Sequence, residues 1–189
     1  MVPRNSNRRE PLVLLAGQIG AGKSAVAAEL ALFDEFRVIS ARRALEEVLG
    51  GSQWDRRELQ RRGAEIDART QGRWLLEFLV PRVASGGRWV LDSARTRRQT
   101  EPILEAITDA RLIYLEANEA TRRDRFIRGQ LADSVKRSTT FDTAMNHATE
   151  SEASALRSMA SLTIETDGLD VGQVADVIRQ NSDWPAPCE

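Results

Sequence analysis

Five short, mostly apolar runs recur along the chain: Leu12–Ala16, Phe36–Ile39, Trp89–Leu91, Leu112–Leu115 and Leu162–Ile164. All five read as strands, and the continuous runs Leu12–Ala16 and Trp89–Leu91 suit strands covered on both faces. Between them, Lys23–Leu32 is rich in Ala, Glu and Leu and reads as helix. Residues 41–49 and 55–68 read as polar helices flanking Gly50-Gly51, and Trp74, Leu75, Phe78 and Leu79 mark a helix over 72–84, bent near Pro81. Ile103, Leu104 and Ile107 mark another, 118–129 forms a very basic helix, 130–140 is a weakly patterned mobile loop, and 142–159 is helical. A last helix starts at Asp170, with Gln173 three residues on as in a capping box, and is expected to bury Val171, Val174, Val177 and Ile178. Strands alternating with helices predict right-handed βαβ units: one α/β domain over 1–189, a five-stranded, mostly parallel sheet with helices on both faces, and flexible tails at 1–10 and 182–189.

Composition narrows the function. With 189 residues, 41% hydrophobic and 29% charged, the chain can bury a real core. The formal net charge of −1 provides no basic field for nucleic acid, so neither DNA nor RNA is expected as a partner. The N-terminal stretch lacks the apolar core of a secretory signal and no run approaches the length of a bilayer span. The lone cysteine, Cys188, builds no disulfide within the chain, which fits a cytoplasmic protein without a membrane partner. Of the 27 basic residues, only Lys23 and Lys136 are lysine.

That scarcity makes Lys23 conspicuous. Gly17-Gln18-Ile19-Gly20-Ala21-Gly22-Lys23-Ser24 matches G-x-x-x-x-G-K-[ST] at every fixed position, between a predicted strand and a predicted helix. Chance alone produces the match in on the order of one such chain in a thousand. Glycines allow the tight curvature and close approach by which loop amides converge on phosphate oxygens, and the helix presents its positive end to the same anion. The expected phosphate contacts are Gly17, Ile19, Gly20, Ala21, Gly22, Lys23, Ser24 and Ala25, on ATP. A compact ammonium at Lys23 reaches the β- and γ-phosphates, and the Ser24 hydroxyl is a Mg²⁺ ligand. Asp92 ends the third strand, where ligands collect in open α/β sheets, and is placed to hold the same Mg²⁺ through water. The fold expected is therefore the three-layer P-loop NTPase fold.

Several features then point to small-molecule phosphorylation. An N-K-x-D guanine motif is absent, since neither lysine follows an asparagine, and 189 residues leave no room for the extra domains of mechanical ATPases. The form G-x-x-G-x-G-K-S, with Arg56, Leu59, Gln60 and Gly63 in an R-x-x-L-Q-x-x-G pattern after a strand ending at Ser40, resembles P-loop nucleoside and deoxynucleoside monophosphate kinases, in particular the dephospho-coenzyme A kinase-like branch. Leu91-Asp92-Ser93-Ala94-Arg95 is similar to that branch's I-D-G-x-R strand end, and Arg122 and Arg125 match the R-x-x-R of its helix leading into a mobile lid, here about 118–140. The resemblance implies that 41–84 bind the acceptor, that Ser40, Arg56, Gln60 and Arg95 contact it, and that Lys23, Asp92, Arg95, Arg122 and Arg125 serve catalysis. Two departures stand out: Ser93-Ala94 replaces G-x, and Glu46 stands where the branch often has an arginine, so one acceptor contact is expected to be lost or reassigned, with Arg42 or Arg43 as the candidates.

The expectation is an ATP-dependent transfer of the γ-phosphate to a (deoxy)nucleoside monophosphate by a monomer or homodimer. The alternatives are a kinase of dephospho-coenzyme A or another phosphorylated metabolite, and a P-loop regulatory module with little transfer activity. Bland roles are expected for His147 as a helix residue, Trp54 and Trp74 in packing, Met145 and Met159 in the core, and Arg123 and Arg128 on the surface.

Overall fold

The computed structural model describes residues 11–51, 54–132, 140–146 and 148–181, and only the backbone of 56–57, 130–132 and 148–149. Five strands, β1 (Leu12–Ala16), β2 (Arg37–Ser40), β3 (Trp89–Asp92), β4 (Ala110–Glu116) and β5 (Leu162–Glu165), form one sheet in the order β2-β3-β1-β4-β5. Every pairing is parallel, so the expected mostly parallel sheet is wholly so. The helices are α1 (Lys23–Phe33), α2 (Ala41–Val48), α3 (Arg56–Thr70), α4 (Arg73–Ala84, with Pro81 inside it), α5 (Arg97–Ala106), α6 (Glu119–Ala132), α7 (Phe141–Met145), α8 (Ala148–Ala155) and α9 (Val171–Gln180).

β1 is fully buried because it lies at the centre of the sheet with helices on both faces. Its side chains alternate between two cores, as the period of a strand requires. Leu12, Leu14 and Ala16 join Leu75, Leu79, Leu91, Ile103 and Leu112 on one face. Val13 and Leu15 join Val26, Leu30, Val90, Ile113, Val174 and Ile178 on the other. The chain leaves β1 for β2 and β3 on one side and reaches β4 and β5 on the other, so strand order reverses at β1. Ligands bind at such a switch point, beyond the carboxyl ends of the strands.

Three expectations needed correction. The helix expected over 142–159 is divided into α7, which ends at its C-cap Asn146, α8 and a 3₁₀ turn, Leu156–Met159, with Phe141 and Ala144 buried in one cluster and Leu156 in another. The basic helix runs on to Ala132, beyond the expected end at 129. Val171, the first residue of α9, is 37% exposed, whereas Val174 and Ile178 are buried as expected. The capping box at Asp170 and Gln173 is present. The expected tails, His147 and residues 133–139 of the expected loop lie outside the described residues. Among the described residues no helix is long and apolar enough to cross a membrane.

A buried ion pair locks the end of α1 to α9. Asp34, 7% exposed, receives Arg179 Nε at 2.8 Å and Nη2 at 2.8 Å. Asp34→Ala is expected to cost about 1–2 kcal/mol, because it removes the charge-assisted bonds that tie α9 to the end of α1, while Arg179 keeps its second carboxylate partner, Asp176. Urea denaturation will measure it, with ATP affinity unchanged.

Candidate active site

The loop between β1 and α1 is shaped by its glycines. Gly17, Gly20 and Gly22 all have positive φ, at 136°, 81° and 98°. A side chain at Gly17 would collide with the Leu115 carbonyl oxygen of β4. At Gly20, a Cβ would lie 2.8 Å from the Arg122 carbonyl carbon and 2.9 Å from its Cα, so the loop touches the backbone of α6. Gly22 begins α1 without a side-chain cap, and no acid occupies the first turn. The helix's first amides and the exposed Ser24 and Ala25 thus face outward, as an anion site requires.

Lys23 Nζ donates to the loop's own carbonyls, Gly17 O at 2.6 Å and Gln18 O at 2.9 Å. Removal of its ammonium from water lowers its pKa to about 8, with Glu150 opposing that shift and Arg95 adding to it. Asp92 and Arg122 also act on it, which places four charged side chains around one ammonium. Asp92 arrives from the strand next to β1, with Leu15 its register partner. Ser93 turns the chain with φ 75°, and its hydroxyl donates to Asp92 Oδ1 at 2.9 Å. The departure from G-x-R therefore falls on a left-handed position, where serine replaces the residue that adopts it at least cost.

The Mg²⁺ expectation is chemically consistent with this geometry. Ser24, in the first turn of α1, and Asp92, at the end of β3, are hard oxygen donors, and Mg²⁺ characteristically takes one or two protein ligands beside water and phosphate. Among the described residues no group of three or more His, Cys, Asp or Glu side chains forms an all-protein metal cage.

The acceptor-side residues divide into packing and polar groups. Leu59 is buried, and a Cβ on Gly63 would lie 3.1 Å from Leu45, so two residues of the R-x-x-L-Q-x-x-G pattern seat α3 on α2. Gln60 is half-buried on the same helix, and Arg56 opens it behind the cap Asp55, its side chain outside the described residues. Ser40 is the register partner of Asp92 and caps α2, accepting from the Arg43 amide. Glu46 binds Arg42 at 2.8 Å, and both Arg42 and Arg43 are exposed. Arg61 and Arg62 hold the Glu58 carboxyl down to about 2, and Arg62 also stacks 3.9 Å over Trp54. Arg95 is exposed at the end of the β3 turn.

On α6 the two candidate arginines differ. Arg122 is 6% exposed and donates to Ala117 O at 3.1 Å and to Met145 Sδ at 3.0 Å. Arg125 donates to Thr166 Oγ1 and Thr166 O, both at 2.8 Å, while its Nη1 lies 3.9 Å from the position of a Gly22 Cβ. It therefore spans from the phosphate loop to the segment after β5. Arg123 is tied to Asp142 and Glu119, and Arg128 to Asp124. Trp74 is buried and donates to Asp67, and Met145 and Met159 pack against core clusters.

Two participants escape a linear reading. Thr166 orients Arg125, and Glu150 accepts the Ile19 amide at 2.8 Å. Neither carries a motif; each is one of many polar residues whose position depends on long-range packing.

No family model matches the chain, and no curated protein matches it in sequence. Solved structures match in fold. An uncharacterized protein from Eubacterium ventriosum aligns with 15% identity over 92% of this chain and 99% of its own, with a TM-score of 0.62. Shikimate kinase from Acinetobacter baumannii, solved in complex with shikimate, aligns with 21% identity over 90% and 92%, with a TM-score of 0.59. Shikimate kinase from Bacteroides thetaiotaomicron aligns with 12% identity over 90% and 97%, with a TM-score of 0.60. The chain thus has the P-loop kinase fold.

Proposed function

We propose that the protein is an ATP-dependent kinase that transfers the γ-phosphate to a small anionic acceptor, and that the acceptor is a (deoxy)nucleoside monophosphate. The observation that carries this is the convergence of Lys23, Asp92 and Arg95 at the carboxyl ends of β1 and β3, with Lys23 buried enough to lose proton affinity. Such a cluster is suited to polyphosphate on one side and a second anion on the other.

In this reading the loop amides and Lys23 hold the β- and γ-phosphates, and Ser24 and Asp92 hold Mg²⁺. Held there, the metal would supply positive charge against the phosphate oxygens. Arg95 orients the acceptor so that its oxygen bonds to the γ-phosphorus in line with the departing β,γ-bridging oxygen of ADP. Arg122, in electrostatic reach of Lys23, offsets charge on the transferring group, and Arg125 serves the nucleotide side of the loop.

A second reading changes only the acceptor, to dephospho-coenzyme A or another small metabolite that is not a nucleoside monophosphate. The packing roles of Leu59 and Gly63 favour it, since they remove half of the acceptor pattern from direct contact. The shikimate kinases among the structural neighbours agree with it. ADP release from Mg²⁺–ATP, measured across nucleoside monophosphates, dephospho-coenzyme A and hydroxy acids such as shikimate, separates the two. ATP binding without acceptor-stimulated ADP release would reject both and leave a regulatory module. Arg95→Ala is expected to raise the acceptor KM about tenfold or more while the ATP KM stays constant; an unchanged acceptor KM removes Arg95 from the site.

A further inference from the structure

Glu150 sits on α8, whose inner residues Ala153 and Leu156 just beyond its end are buried in the body of the protein. Its Oε2 accepts the Ile19 backbone N–H at 2.8 Å, across 131 residues of sequence. Ile19 is held from its other side, because its side chain packs against Phe126, Phe141 and Ala144 of α6 and α7. Donor and acceptor are therefore each fixed by separate packing. Glu150 is also the largest influence keeping the proton on Lys23. A carboxylate thus makes the contacts that a phosphate oxygen makes in such a loop: one main-chain amide and the field of the ammonium.

We propose that Glu150 is an internal competitor for nucleotide phosphate, so that ATP binds by displacing its carboxylate from the loop. The inference rests on the reading of this loop as a polyphosphate site. Carboxylate and phosphate oxygens are both charge-assisted acceptors, and one amide cannot serve both at full strength. Two anions at one amide also repel, so arrival of the polyphosphate expels Glu150 and reports occupancy to α8. While the carboxylate is in place, the apparent affinity for ATP is reduced by the fraction of molecules in which the loop is open.

Titration calorimetry with Mg²⁺–ATP, and separately with pyrophosphate, on the wild type, Glu150→Ala and Glu150→Gln tests this. A competitor in place nine-tenths of the time gives an expected tenfold tighter binding in Glu150→Ala for both ligands. Glu150→Gln, nearly isosteric and a weaker acceptor, is expected to fall between, and serves as the decisive variant if the alanine variant does not fold. Faster hydrogen exchange at the Ile19 amide in ligand-free Glu150→Ala is the accompanying structural readout. Unchanged or weaker binding in the variants overturns the proposal while the loop's phosphate role stands. Failure of all three proteins to bind either ligand removes the proposal together with that role.

Discussion

Lys23→Met is expected to lower ATP turnover by about 10³-fold and yet to leave the fold more stable than the wild type at pH 7. The two effects share one cause. The ammonium is held in a loop that excludes enough water to bring its pKa from 10.5 to about 8. That shift corresponds to a native-state penalty on the order of 3 kcal/mol at neutral pH. That penalty is already net of the bonds to Gly17 O and Gln18 O. Methionine removes the penalty but leaves those two carbonyls without their donor, at a cost of about 2 kcal/mol, so the net gain is about 1 kcal/mol, measurable by denaturant titration.

The pH dependence has a definite sign. Below pH 8 the lysine is protonated in both native and unfolded chains, and the whole penalty is present. Between pH 8 and 10.5 the native protein releases the proton first, so its stability relative to the variant climbs; above 10.5 the contribution is constant. Bound polyphosphate reverses the trend by favouring the ammonium, so ATP binding between pH 8 and 10 should take up a proton. Calorimetry in buffers of different ionisation enthalpy detects this. A Lys23→Met protein that keeps turnover, or a wild type that binds ATP with no proton uptake in that range, contradicts the role given to Lys23.

Gly20→Ala is expected to cost about 3 kcal/mol or more and to weaken ATP binding at least about a hundredfold. Position 20 is free in the G-x-x-x-x-G-K-[ST] pattern, so the motif itself tolerates alanine there. The folded chain does not. Gly20 has φ 81°, which costs an alanine about 1–2 kcal/mol. Its Cβ would also press into the Arg122 backbone of α6, which no rotamer can relieve. Gly50→Ala is the control: φ is 72° but nothing lies within 4 Å, so only the conformational cost of about 1–2 kcal/mol is expected. If the two variants lose equal stability, the contact between loop and α6 carries no weight.

Local chemistry made much of this molecule legible in one dimension. Trp89–Asp92 stands where its apolar run placed it, because a strand buried on both faces needs nothing but consecutive apolar residues. The capping box at Asp170 and Gln173 closes within four residues and is equally local. The helix expected over 142–159 failed for the opposite reason. Its polar residues carry little periodicity, and the breaks come from packing Phe141 and Ala144 under α6 and Leu156 under the sheet. Leu59 and Gly63 show a subtler limit: a pattern associated with acceptor binding is partly a pattern for seating one helix on another.

Read as a string, the chain already specifies a parallel α/β architecture and a loop whose curvature and single ammonium suit phosphate, since both follow from interactions within a few consecutive residues. Only the folded chain decides that Gly20 must be glycine, that Arg125 is held by Thr166, and that Glu150 occupies the Ile19 amide. Those contacts join residues from different parts of the chain. Their geometry comes from how the helices pack on the sheet, and no short-range pattern encodes it.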